Sequence, residues 1–197
     1  MRQFKTEKRL NKIVQTVNWR QPSLHVVIEN VHDQHNVSAI FRSCDAVGVQ
    51  LVSLLYTKEE FPKKISKVTS ASAFKWVDKQ RFDNVNVCYD ELHKQGFKIY
   101  ASTMADKSVS LYDLDLTGKV AVVLGNENRG ISEEAAKLAD GLFYIPMRGM
   151  VQSLNVSVAA AVTLYEAQRQ RMIKGMYDES ESSEKELDVL IDRWCDK

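Results

Sequence analysis

The chain has 197 residues, 44% hydrophobic and 27% charged, with three cysteines and a formal net charge of +1. That length suits one domain whose core hides about 70% of its unfolded surface, and no apolar run approaches the ~18 residues that a membrane span needs. Cys44, Cys88 and Cys195 form no CxxC pair and the first residues hold no apolar signal core, so the expectation is a reduced, cytoplasmic protein with no disulfide frame, zinc cluster or membrane anchor.

Residues 1–20 set Arg2, Lys5, Lys8, Arg9, Lys12 and Arg20 against Glu7 alone. Phe4, Leu10, Ile13, Val14 and Val17 mark a helical pattern within 3–18. Such an arm suits phosphate contact, because Lys and Arg displace counterions from nucleic acid; a solvated helix face accounts for the charge equally well. Residues 24–29 read as a strand and 36–47 as a helix ending at Gly48. Further strands are expected at 50–56, 97–102, 120–124 and 142–145, with helices near 64–71, 86–95 and 132–140. Continuous apolar strands separated by helices predict an α/β domain, its mostly parallel sheet flanked by helices on both faces. A long helix is expected over 153–174, where the stripe of Leu154, Val158, Ala161 and Tyr165 reads as core packing. After Gly175 comes an acidic linker, 178–184, and then an amphipathic stripe of Leu187, Leu190, Ile191 and Trp194. A helix this short must dock on the body or on a second subunit. Residues 178–197 carry eight acids against three bases. The division expected is a basic helical extension at 1–22, a central domain at 23–175, and an acidic linker with a last helix at 176–197.

Three segments are richer in special residues than a fold requires. Asn36 and Arg42 flank the first: Asn36 suits a helix N-cap and Arg42 a surface position. Six residues turn a helix by about 600°, so the two side chains do not share a face. In the second, 124–132, an apolar strand runs into a turn with two glycines and a helix begins at Ser132. Carboxyl ends of strands are where α/β sheets place ligands. The Gly125-x-x-x-x-Gly130 spacing lacks the lysine of a P-loop, which argues against an NTPase, and a plain glycine-rich turn remains an equal alternative. The third, 145–159, ends a strand at Pro146, loops at Gly149 and enters the long helix near Ser153, itself a simple N-cap. Ser153 and Asn155, with Met147, Met150 and Leu154, form a pocket mouth suited to a ligand with an aromatic plate and hydrogen-bonding edges. His32 and His35 have metal-ligand spacing but no third ligand, so no metal is expected.

In order and spacing these segments resemble the signature motifs of the SPOUT superfamily, TrmH branch. They are Asn-x5-Arg at Asn36 and Arg42, Leu-Gly-x-Glu-x-x-Gly at 124–130, and Ile-Pro-Met-x-Gly-x-x-x-Ser-Leu-Asn-Val-Ser-x-Ala at 145–159. The stretches 150–155, 165–171 and 175–177 are similar to the bacterial tRNA guanosine-2′-O-methyltransferases. The resemblance implies a deep C-terminal trefoil knot, which no pattern argument would supply, and S-adenosylmethionine bent within it. The lining residues it implies are Ser102, Thr103, Met104, Gly125, Glu127, Ile145, Met147, Ser153, Leu154 and Asn155. It also implies a homodimer with the long helix at its interface, and 2′-O-methylation of the D-loop guanosine at tRNA position 18. Arg42 would be the essential catalytic group, with Asn36 beside the reaction. Lys5, Lys8, Arg9, Arg169 and Arg171 are expected to touch tRNA backbone. Alternatives are methylation of the tRNA wobble nucleotide or of ribosomal RNA, and an RNA-binding module without catalysis. The short stretch before the first strand argues against the added N-terminal domain usual in ribosomal RNA enzymes of this branch.

Overall fold

The computed structural model describes residues 2–62 and 73–197; the helix expected near 64–71 lies outside them. The helices are α1 (Glu7–Asn18), α2 (Gln34–Ala46), α3 (Val85–Lys94), α4 (Glu133–Leu138), α5 (Val156–Ile173) and α6 (Glu184–Cys195). The strands are β1 (Leu24–Glu29), β2 (Leu51–Leu55), β3 (Asp78–Phe82), β4 (Lys98–Ser102), β5 (Val109–Ser110), β6 (Val120–Leu124) and β7 (Gly141–Tyr144). They form a seven-stranded sheet in the order β3-β2-β1-β6-β4-β7-β5, and every pairing is parallel.

Every residue of β1 is buried, because the sheet is covered on both sides. Val26 and Ile28 pack with Val37, Ile40 and Phe41 of α2 and with Ala160 and Leu164 of α5. Val27, one residue out of phase, packs with Cys88 and Leu92 of α3 and Ala135 of α4. Each such aliphatic side chain contributes about 1.5–3 kcal/mol of burial free energy. The period of two that makes a strand two-faced thus divides β1 between two helical layers. A third cluster joins Ile13 and Val17 of α1 to Leu190, Ile191 and Trp194 of α6, so the last helix docks on the first.

Several expectations need correction. β3 escapes the sequence pattern because Asp-Lys-Gln-Arg-Phe is polar and half-solvated at the sheet edge; β5, of two residues, is too short to register. α2 starts earlier than expected, with Asp33 as its cap, and Asn36 lies in its first turn. α5 starts at Val156, capped by Asn155 rather than Ser153. The stripe assigned to the core is the wrong face of α5: Val158 is 46% and Tyr165 53% exposed, while Val156, Ala160, Leu164 and Ala167 are buried. α5 is apolar around most of its circumference, so periodicity alone cannot choose the inner face. α2 ends as predicted at Gly48, whose φ of +87° suits glycine and whose Cβ would strike the Trp19 carbonyl.

A candidate cofactor and RNA-ribose site

Strands β6, β4 and β7 are neighbours, so the loops leaving their carboxyl ends emerge side by side. Ser102 closes β4 and Thr103 follows, its N–H donating to the Phe143 carbonyl of β7 at 2.9 Å. Met104 is 68% exposed beyond them. From β6 the chain enters the turn 125–130, closed by paired backbone hydrogen bonds between Asn126 and Gly130 at 2.9 and 2.8 Å. A side chain at Gly125 would overlap the Gly130 carbonyl carbon and the Ile131 nitrogen, so the tight closure requires glycine there. From β7, Ile145 and Met147 are half-buried, as is Leu154, whereas Ser153 is exposed.

The three signature segments meet through side chains. Asn36 donates from Nδ2 to Glu127 Oε1 at 2.8 Å, and Asn155 donates from Nδ2 to Asn36 Oδ1 at 3.1 Å. The Asn155 Oδ1 meanwhile accepts from the Ser157 N–H at 2.9 Å, capping α5. One carboxamide therefore starts the helix and joins the chain Asn155–Asn36–Glu127. The other Glu127 oxygen, Oε2, is buried and accepts no hydrogen bond, with His32 Nδ1 3.6 Å away. A buried carboxylate oxygen without a donor costs free energy until one arrives. A ribose hydroxyl of a nucleoside cofactor is such a donor, and the apolar Ile145, Met147 and Leu154 suit its base.

Asn30 and Asn126, absent from the expected site, hold this loop in place. Asn30 has φ +53°. Its Oδ1 accepts the N–H groups of Thr57, Lys58 and Glu59 at 3.0, 3.0 and 3.1 Å. Its carbonyl accepts from Asn126 Nδ2 at 2.8 Å, and Asn126 Oδ1 in turn accepts from the N–H groups of Asn128 and Arg129. Glu127 thus sits between two anchored residues. Next in sequence to Asn30, buried Glu29 accepts from the Ser132 N–H at 3.0 Å, fixing the start of α4. The available sequence signal was an asparagine directly after a strand, a residue that tolerates left-handed backbone.

Arg42 is exposed on α2 and stands outside the Asn36–Glu127 chain. The basic arm also lies away from the loops: Arg9 stacks over Trp76 at 5.1 Å, beside the amino end of β3. Lys5 is half-buried and Lys8 exposed. Arg169 is exposed and ion-paired to Glu166 at 2.8 Å. Arg171 is no surface contact at all. It is fully buried, donating to the carbonyls of Leu116 and Gly118 at 3.0 and 2.7 Å and to Ser23 Oγ at 2.7 Å. Burial pulls its pKa down, and Glu181 opposes that shift. It is a structural cation joining α5 to the chain entering β1 and β6. A cavity of about 610 Å³ between α1 and the end of α5 is roomy but distant from the loop chemistry, and volume alone does not make it the reacting site.

The SpoU rRNA Methylase family model matches residues 23–165. The chain belongs to that family. Among SpoU relatives, the Aquifex aeolicus tRNA (guanosine(18)-2′-O)-methyltransferase is 42% identical over 96% of this chain and 89% of its own. The Thermus thermophilus enzyme of the same name is 45% identical over 88% of this chain and 89% of its own. The crystal structure of the A. aeolicus TrmH/SpoU tRNA modifying enzyme superposes with a TM-score of 0.89 at 40% identity, covering 95% of both chains. The SpoU family match spans all three loops and the Asn36–Glu127–Asn155 chain.

Proposed function

We propose that the protein transfers a methyl group from S-adenosylmethionine to the ribose 2′-oxygen of the D-loop guanosine at tRNA position 18. The observation that carries this reading is the Asn155–Asn36–Glu127 chain, which gathers the three signature segments at one end of the sheet in a chain 42–45% identical to guanosine-18 enzymes. When bound, the cofactor supplies an electrophilic methyl on a sulfonium. Ser102, Thr103, Met104, Gly125, Ile145, Met147, Ser153 and Leu154 would form its surroundings, and Glu127 would accept one of its hydroxyls. Holding the donor and ribose in line supplies several kcal/mol of barrier reduction. Arg42 stabilises negative charge developing on the 2′-oxygen and grips the neighbouring phosphate; a guanidinium surrenders its proton too reluctantly to serve as an ordinary base.

Arg42 lies six positions after Asn36, about 9 Å further along the α2 axis and outside the Asn155–Asn36–Glu127 chain; in this reading it serves a site completed by a second copy. The exposed Val158, Tyr165 and Met172 of α5, spaced by sevens along one face, supply the homodimer interface in this reading. Residues 1–22 and 176–197 are extensions of a catalytic domain at 23–175, Lys5, Lys8 and Arg9 contact tRNA, and a trefoil knot encloses the cofactor. No helix among the described residues is long and apolar enough to cross a membrane, and a cytoplasmic setting with tRNA as partner follows from the reaction.

The test is methyl transfer from labelled S-adenosylmethionine to unmodified tRNA, with mapping of the product. A single 2′-O-methylguanosine at position 18 is expected. Methylation only at the wobble nucleotide, or only of ribosomal RNA, would replace the assigned substrate; cofactor binding without transfer to any RNA would overturn the enzymatic reading.

A further inference from the structure

Positive charge collects along the edge strand β3 and around Trp76. Lys75 is exposed just before that strand, and Lys79 places its ammonium 4.0 Å from the Phe74 ring. Arg81 stacks over Phe61 at 4.8 Å. From the two ends of the chain, Arg9 and Lys197 converge on Trp76, at 5.1 and 5.6 Å. Asp78, at the foot of β3, is already paired with Arg193 at 2.5 Å. Burial lowers the pKa of both Lys79 and Lys197; Asp78 opposes the shift on each, and the cations Arg81 (on Lys79) and Arg193 and Lys79 (on Lys197) add to it.

Lysines on an edge strand commonly block strand-to-strand aggregation. That accounts for Lys79 and Arg81, but not for Lys75, Arg9 and Lys197 arriving from other segments. Gathering like charges is unfavourable unless an anion joins them. Position identifies the anion. The basic arm lies at the amino end of β3, whereas the methyl-transfer loops lie at the carboxyl ends of the strands. The order β3-β2-β1-β6 puts the β3 edge about 14 Å from β6, at roughly 4.8 Å per strand. Lys79 and Arg81 project from the same side of β3 about 6.6 Å apart, so cations recur along the height of the sheet from the arm towards the reacting end. Repeated charges of this kind suit a polymeric anion.

We propose that the β3 edge, continued by Lys75, Lys197 and Arg9 around Trp76, binds the phosphodiester backbone of the RNA substrate at nucleotides away from the one methylated. This rests on the tRNA reading above. The test compares wild type with Lys75→Glu/Lys79→Glu, with the milder Lys75→Gln/Lys79→Gln, and with Lys94→Glu/Lys137→Glu on the opposite helical layer. Filter binding of unmodified tRNA is measured across a salt series, beside calorimetric cofactor affinity and steady-state methyl transfer. The β3-edge reversal is expected to weaken tRNA binding by at least ~10-fold near physiological salt and to flatten the log–log salt slope by about 1.4–1.8, two phosphate contacts. KM for tRNA should rise while kcat and cofactor affinity hold, and the Gln pair should show a smaller loss in the same direction. Unchanged affinity and slope in a folded Glu pair, or an equal loss in the Lys94/Lys137 control, overturns the proposal. Wild-type protein that binds tRNA but methylates nothing sinks the tRNA-methylation reading instead, and the salt slopes still decide this surface.

Discussion

The loop site and the paired terminal helices are built from different forces. Around Glu127, the turn is positioned mainly by hydrogen bonds of neutral amide side chains: Asn30 alone accepts three N–H groups, and Asn126 links that junction to the β6 turn. Between α1 and α6, position is set by apolar contact and charge. Trp76 and Trp194 meet at 4.9 Å, buried Arg20 stacks on Trp194 at 4.8 Å, and exposed Arg2 bonds Asp188 and Asp192 at 2.9 and 2.6 Å. Directional bonds between neutral groups barely respond to salt, whereas exposed ion pairs are screened by it. A reacting centre needs the first kind of support, because a loose loop loses alignment. A surface that takes a polyanion can be built from the second.

The difference can be broken most sharply at Arg42. Arg42→Ala should lower methyl transfer by about 100–1,000-fold, while melting temperature and cofactor affinity stay near wild type. Near-normal turnover in the folded variant would falsify its assigned role. Trp194→Ala should do the reverse. Its loss from the α1–α6 cluster should cost about 3–5 kcal/mol in chemical denaturation, with cofactor affinity intact in the fraction that remains folded. Asn126→Ala should fall between the two, costing about 1–3 kcal/mol through unsatisfied backbone groups and weakening cofactor binding measured by calorimetry. If stability drops while cofactor affinity stays unchanged, the loop is not held by Asn126 in the way described.

An effect confined to acid pH lies in the sheet between these regions. Buried His25 donates or accepts at Ser53 Oγ, 2.8 Å away, and burial holds its pKa down at about 4, from an ordinary 6.5. The unfolded chain therefore binds a proton that the folded chain refuses. Stability from this group is complete above about pH 6.5 and is lost as pH falls towards about 4. His25→Gln should flatten the urea-unfolding profile across that window; an unchanged slope would assign acid lability to other groups.

The five apolar strands were legible because their residues are mostly hydrophobic and largely buried, most completely in β6, where all five residues are apolar and buried. The Asn36, Glu127 and Asn155 positions were legible through motif order, although not the bonds between them. β3 was invisible because its polar residues meet solvent at an edge. Arg171 was misread because a buried arginine looks in sequence like any surface cation, and nothing local shows that Leu116, Gly118 and Ser23 will surround it. Asn30 and Asn126 carry no periodicity, and their importance comes from segments far along the chain.

By itself, then, the sequence determined the parallel α/β layering, the three chemical segments and the family they mark, since each is written in residues close together along the chain. Only the tertiary structure decided which face of α5 is buried, which arginines are structural, and how an asparagine after β1 holds a glutamate after β6. Burial and hydrogen-bond partnership depend on distance in space, and a linear pattern carries that information only where neighbours in space are also neighbours in the chain.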